Sequence, residues 1–276
     1  MRLRAAAVSL ALGLAAIPAV VGAVLVAPHA VFIDHRTRSG QIVLVNNGSE
    51  PEEVSIELVF GYPATDSSGN IGIRFIEDPG PEYPSAAGWI RAFPQRLRVL
   101  PGQRQVVRLL ATPPPELPDG EYWSRLIVTS RGGEVPVATP ENAAVRAGVS
   151  LITRTVISVT YRKGPLRTGV VLEDFRPSVS GDSLIAWVAL RREGNAAYLG
   201  SVVFRLLDSG GSERARWETP VAVYYDLNRR FAFPLEGLPA GSYRLALRVS
   251  TDREDIPREH VLPAAPIERS AAVEIP

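Results

Sequence analysis

The chain of 276 residues has no cysteine and only three histidines. Without thiols, cysteine nucleophiles, cysteine metal sites and disulfides are all excluded. An exported domain large enough to make a core does not require disulfides. His29, His35 and His260 lie far apart and form no metal-ligand spacing. His29 and His35 are an even number of residues apart on a presumed strand and so share a face, where a surface or edge role is expected. Charge of one sign is also lacking. Lys and Arg total 30 against 29 Asp and Glu, a formal net charge of +1, with no long like-charge run. A nucleic-acid-binding protein normally carries a basic stripe, so no nucleic-acid partner is expected. Beyond the N-terminus no segment of helical length repeats apolar residues at i, i+3, i+4 and i+7. No Gly-Xaa-Ser-Xaa-Gly elbow, phosphate loop or dinucleotide fingerprint is present. The chain therefore reads as non-enzymatic and free of cofactor or metal, with paired carboxylates in a cleft left open.

What is present begins with a leader. Met1-Arg2-Leu3-Arg4 is basic, residues 5–26 are almost wholly apolar, and Val21-Gly22-Ala23 supplies small residues for a signal peptidase. Cleavage after Ala23 makes 1–23 a signal peptide and leaves an exported, soluble mature protein with no membrane contact. A retained anchor is the alternative, since the apolar run approaches a spanning length. Val24 onward already reads as a strand, which leaves no linker for an anchor.

Hydrophobic content of 46% and charged content of 21% are those of a folded protein, and the length suggests two domains with separate cores. Leu117-Pro118-Asp119-Gly120-Glu121-Tyr122 returns as Leu238-Pro239-Ala240-Gly241-Ser242-Tyr243, with Leu, Pro, Gly and Tyr at one offset (243 − 122 = 121 residues). A glycine turn followed by Tyr at a strand start is similar to the tyrosine corner of immunoglobulin-like sandwiches, where the phenol bonds back to nearby backbone. Short alternating or β-branched runs fill both halves, separated by Gly, Pro, Asn and Asp. The fold class expected is all-β, two immunoglobulin-like sandwiches in tandem, over 24–163 and 166–276. Gly164-Pro165 marks the break, and the excess length of the first domain falls in 61–94, read as long loops around one or two short strands.

The run 149–161 is unusually long. In one strand it would span roughly 40 Å and put Val149, Leu151, Thr153, Thr155, Ile157 and Val159 on one face. Elsewhere the motifs stay ambiguous. Asp252, Glu254 and Asp255 interleave with Arg253 and Arg258, as in a charged loop or a Ca²⁺ site. Asn47-Gly48-Ser49 fits a glycosylation acceptor or a turn with positive φ. Tyr62, Tyr83 and Trp89 are the only local candidates for a sugar-binding platform.

Taken in order, several segments resemble the PapD-like periplasmic chaperones of the chaperone–usher pathway. They are Ala30-Val31-Phe32, Val43-Leu44-Val45-Asn46-Asn47, Phe93-Pro94 with Leu100-Pro101-Gly102-Gln103, the corner Asp119-Gly120-Glu121-Tyr122, and the long strand ending Thr160-Tyr161-Arg162. In the second half the likeness rests on Gly194-Asn195-Ala196, Gly200 and Tyr243. The resemblance implies two immunoglobulin-like domains in a boomerang. It implies a periplasmic role in pilus or fimbrium biogenesis, with secreted pilin-like subunits and an outer-membrane usher as partners. Capture would be by donor-strand complementation, a form of β-augmentation, with Val149, Leu151 and Thr153 as donor residues. The family's carboxylate-binding Arg and Lys fall here on His29 and Ser158, which cannot replace two cations. Arg154, on the face of Ser158, is one substitute, and Arg36 or Arg38 with a shifted register is another. The alternative reading of the whole chain is a structural or adhesion module of two sandwiches.

Overall fold

The computed structural model describes residues 24–132, 135–136, 148–149 and 151–276, and nothing of the side chains at 135–136 and 148–149. The leader over 1–23, with its cleavage site, lies outside these residues. In chain order the strands are β1 (Val24–Ala27), β2 (Ala30–Asp34), β3 (Ser39–Asn46), β4 (Glu52–Thr65), β5 (Ile71–Ile76), β6 (Ile90–Phe93), β7 (Arg96–Val99), β8 (Arg104–Ala111), β9 (Gly120–Arg131), β10 (Val135–Pro136), β11 (Gly148–Val149) and β12 (Ile152–Lys163). After Gly164-Pro165 come β13 (Thr168–Ser180), β14 (Ser183–Gly194), β15 (Tyr198–Asp208), β16 (Glu213–Val223), β17 (Asp226–Pro234), β18 (Gly241–Ser250) and β19 (Ile267–Ile275). The helical content described is one 3₁₀ turn, Arg258–His260.

Two sandwiches result. The first stacks sheet β1-β3-β8-β6 on sheet β2-β12-β9-β4-β5, where β7 extends the early half of β4. The second stacks β13-β14-β17 on β16-β15-β18-β19. Period-two alternation supplies each core. Ile42, Leu44, Leu109, Leu126, Ile157 and Val159 are buried in the first. Leu184, Val188, Phe204, Leu206, Leu245 and Val249 fill the second.

The repeated motif makes the same contact twice. The Tyr122 hydroxyl donates to the Pro118 carbonyl at 2.9 Å, and the Tyr243 hydroxyl donates to the Pro239 carbonyl at 2.8 Å. Gly120 and Gly241 sit at φ 157° and 151°, in the region that favours glycine. Asn47-Gly48 behaves differently from expectation: neither residue is at positive φ. Asn46 organises that turn, accepting from Gly48 N–H at 2.8 Å and donating its own amide to the Val99 and Glu50 carbonyls.

The stretch 61–94 holds the end of β4 and the two short strands β5 and β6, with a loop over 77–89 between them. β4 continues through Gly61, Tyr62 and Pro63 to Thr65 and turns back as β5. The long strand is described in two pieces: Gly148–Val149 pairs with Val135–Pro136, and β12 runs from Ile152. Arg131, the last residue of β9, stands opposite Ile152, the first of β12.

Candidate functional site

The first edge strand changes sheets. β1 pairs with β3 in one layer, and after Pro28 the chain crosses as β2 to run parallel to β12 in the other. β2 reaches only from Ala30 to Asp34, so it covers β12 only from Ser158 to Arg162. On its other side β12 is paired with β9 throughout. The Ser158 N–H donates to the His29 carbonyl at 3.3 Å, and the Arg162 carbonyl accepts from His35 N–H at 2.9 Å. Both groups point away from β9. Residues of a strand alternate in this respect, so Ile152, Arg154 and Val156 also aim N–H and C=O away from β9. No described strand lies on that side.

This open edge is apolar. Leu151, Ile152 and Val156 are 45%, 54% and 41% exposed, while Thr153 and Thr155 are half-buried and Ile157 and Val159 are buried. The inward alternation expected of 153, 155, 157 and 159 is present. Leu151 lies just before the strand, and the side chain of Val149 is outside the described residues. Ile152 and Val156 were missed because they occupy the opposite, outward face, which a core-directed pattern ignores.

The closed end of this edge meets the second sandwich. His29 is exposed and Ser158 half-buried, with its Oγ 3.3 Å from the Tyr224 hydroxyl. Opposite Ser158 on β9 stands Arg125, 5% exposed. Its Nε donates to the Gly61 carbonyl at 3.0 Å, its guanidinium lies 5.2 Å from the Tyr224 ring centroid, and its Nη2 has no partner among the described residues. Arg154 is exposed farther along the face of Ser158. Arg36 pairs with Asp34 at 3.2 Å, and Arg38 Nε donates to the His35 carbonyl at 3.2 Å.

Below the edge, one buried carboxylate ties the sandwiches together. Glu121 Oε1 accepts from Arg162 at 2.8 Å, while Oε2 accepts from the Trp123 indole at 3.1 Å and from the Ala197 N–H of the second sandwich at 2.8 Å. Arg162 also donates to the His260 carbonyl at 2.8 Å and lies 4.4 Å over the Phe32 ring, which stacks on His260. Burial, and then the Arg162 charge, hold the His260 imidazole below its ordinary pKa. Phe60, Tyr62, Trp123 and Tyr224 bury a second contact between the sandwiches. There Tyr225, packed edge-on to Tyr62, is pushed up to about 12 by burial. Tyr62 and Tyr83 are spent in this cluster, and Trp89 packs on Tyr122 and Tyr161. These aromatics form no exposed platform. The turn of the β4–β5 hairpin adds a third tie, with Arg230 N–H donating to the Gly69 carbonyl and Asn228 N–H to Thr65 Oγ1, both at 3.0 Å.

The acidic cluster near the C-terminus is internally paired: Arg253 takes both oxygens of Asp255 at 2.6 Å, and Asp252 accepts from Ser250 at 2.7 Å. Among the described residues no group of three His, Cys, Asp or Glu has a metal-holding arrangement, and no helix is long and apolar enough to cross a membrane.

No family model and no curated protein matches the chain. Solved structures do resemble it. One is the CsuC–CsuE chaperone–tip adhesion subunit pre-assembly complex from the archaic chaperone-usher Csu pili of Acinetobacter baumannii. It has 13% identity and a TM-score of 0.45, over 91% of this chain and 98% of that one. The chaperone YadV is similar at 18% identity, TM-score 0.43, over 90% and 98%. The E. coli chaperone DraB follows at 16% identity, TM-score 0.41, over 82% and 89%. Each of the three contains a chaperone. At such scores the description of this chain stands on its own geometry.

Proposed function

We propose that the chain is a periplasmic assembly chaperone that holds secreted, pilin-like β subunits on the open edge of β12. The observation that carries this reading is the short reach of β2, which leaves the side of 152–157 away from β9 without a described strand, beside three exposed aliphatic side chains. An edge of that kind is an aggregation hazard that proteins normally blunt. Left open, it offers main-chain donors and acceptors for affinity and alternate side chains for fit. The client strand bonds to the main chain of Ile152, Arg154 and Val156. Val149, Leu151 and Thr153 supply donor side chains toward the client's gap, joined by Ile152 and Val156 on the outer face. His29 and Ser158 form the closed end, and Arg154, exposed on the open stretch, is an accessible cation. The role is non-catalytic, and the mature protein is free in the periplasm, its leader removed near Ala23. An outer-membrane usher is the expected receiver of the loaded complex.

The test is co-purification from the periplasm with the secreted β subunit expressed beside it. Val156→Pro removes one outward N–H and no bond to β9, a position where edge strands tolerate proline. Leu151→Asp adds charge to an exposed site. Both variants should fold like the parent and lose the subunit. Unchanged capture by both would overturn the reading in favour of a structural module.

A further inference from the structure

We propose that the free edge of β5 is a self-association surface that joins two copies of this chain about a two-fold axis at Ile73. β5 is the far edge of the sheet that carries β12 at its other side. Ile71, Ile73 and Phe75 are 44%, 39% and 47% exposed, which is unusual for three alternate residues of one strand. Their main chain is directed outward as well. The hairpin closes with Asp66 N–H donating to the Asn70 carbonyl, and the β4–β5 register is regular from Phe60↔Ile76 to Thr65↔Ile71. Alternation from that bond turns residues 72, 74 and 76 toward β4 and leaves the N–H and C=O of Ile71, Ile73 and Phe75 on the far side, with no partner among the described residues.

Those three residues select one partner and one register. Antiparallel pairing with a second β5 needs outward residues opposite outward residues, so the two-fold axis passes through a residue. An axis at Arg74 sets two guanidinium groups directly opposite, which is destabilising. An axis at Gly72 leaves Phe75 overhanging. An axis at Ile73 pairs Ile73 with Ile73 and Ile71 with Phe75, giving about six main-chain hydrogen bonds and one continuous apolar stripe. It also sets each Arg74 opposite Gly72, whose missing side chain faces open space with no atom within 4 Å. The contact is isologous and closed. It builds one continuous sheet across two copies and leaves each β12 edge free at an outer end.

The proposal does not rest on the chaperone reading and is tested apart from it. The wild-type protein should sediment at twice the monomer mass at micromolar concentration. Ile73→Pro, which removes an outward N–H only, and Ile73→Lys should both sediment as folded monomers. In a chain without cysteine, Ile73→Cys brings two thiols to a Cα separation of about 5.5 Å, within disulfide range. Arg74→Cys sets its pair about 8 Å apart, beyond it. Oxidative cross-linking should be at least tenfold faster for Ile73→Cys. A wild-type protein monomeric at every concentration would overturn the proposal. So would equal cross-linking of the two cysteine variants, or a dimer dissociated by Val156→Pro but not by Ile73→Pro.

Discussion

The two sandwiches share a corner and differ at their edges. In the second, β13 carries Pro177 and a bulge between Leu172 and Asp174, and β16 carries Pro220. There β17 is met by the hairpin turn at Asn228 and Arg230, and β19 exposes Glu268, Arg269 and Glu274. These are the usual ways of blunting a strand edge. In the first sandwich, the stretch 152–157 and β5 have no proline and one arginine each; the rest are aliphatic residues with two threonines in the former, and with one glycine and one phenylalanine in the latter. The same scaffold thus protects its edges in one half and leaves edges open in the other, β5 and the first part of β12 among them. In the function proposed above, the open edges are where the molecule meets other chains, and the blunted half is a support tied to the first by Glu121 and Arg162.

Four experiments press on that contrast. The largest effect is expected at the tie between the halves. Glu121→Ala leaves Arg162 buried without its partner and should cost on the order of 3–5 kcal/mol, read by urea denaturation. The double variant Glu121→Leu with Arg162→Met should recover most of it, since an apolar pair of similar volume is often neutral. A loss below about 1 kcal/mol in the single variant would make the tie a surface pair in its energetics. Next, Gly69→Ala presses a Cβ to 2.6 Å from the Arg230 backbone nitrogen at φ 78°. It should cost about 1–3 kcal/mol and speed proteolysis of the hairpin, while Gly72→Ala, in open space, should do neither. The corners come third. Tyr122→Phe and Tyr243→Phe each delete one hydrogen bond and should each cost about 1 kcal/mol by denaturant midpoint. A large inequality would mean that the repeat is shared in shape but not in energy.

The smallest effect is a pH dependence. The folded protein holds the His260 pKa below its unfolded value of 6.5. The neutral ring is therefore favoured, and its stabilising contribution is complete above that value. It is lost as pH falls through the lowered folded pKa, because the unfolded chain binds the proton first. Between pH 7.5 and pH 5.5 the wild type should lose slightly more stability than His260→Phe, which keeps the stack on Phe32. Equal slopes would remove His260 from the account.

How much of this was legible depended on whether a feature is local. The corners were readable because Leu-Pro-Xaa-Gly-Xaa-Tyr fixes its own turn and hydroxyl partner within four residues. The inward face of β12 was readable at Ile157 and Val159, since burial imposes a period of two. The open edge was hidden, since it exists only through how far β2 reaches. Ile152 and Val156 carried no core signal, and Glu121 and Arg162, 41 residues apart, meet only after both strands pair. His29 and Ser158 were named from a resemblance, and their main chains are joined at the closed end.

The central claim is that β12 captures its client along the edge at 152–157, and residue-resolved hydrogen exchange of β12 with and without the bound subunit tests it most directly. In the free protein the amides of Ile152, Arg154 and Val156 should exchange fast, between slow amides at Thr153, Thr155 and Ile157 that bond to β9. In the complex the fast set should become at least tenfold slower and the alternation should vanish. Alternation that persists unchanged in a complex of proven stoichiometry would contradict the claim.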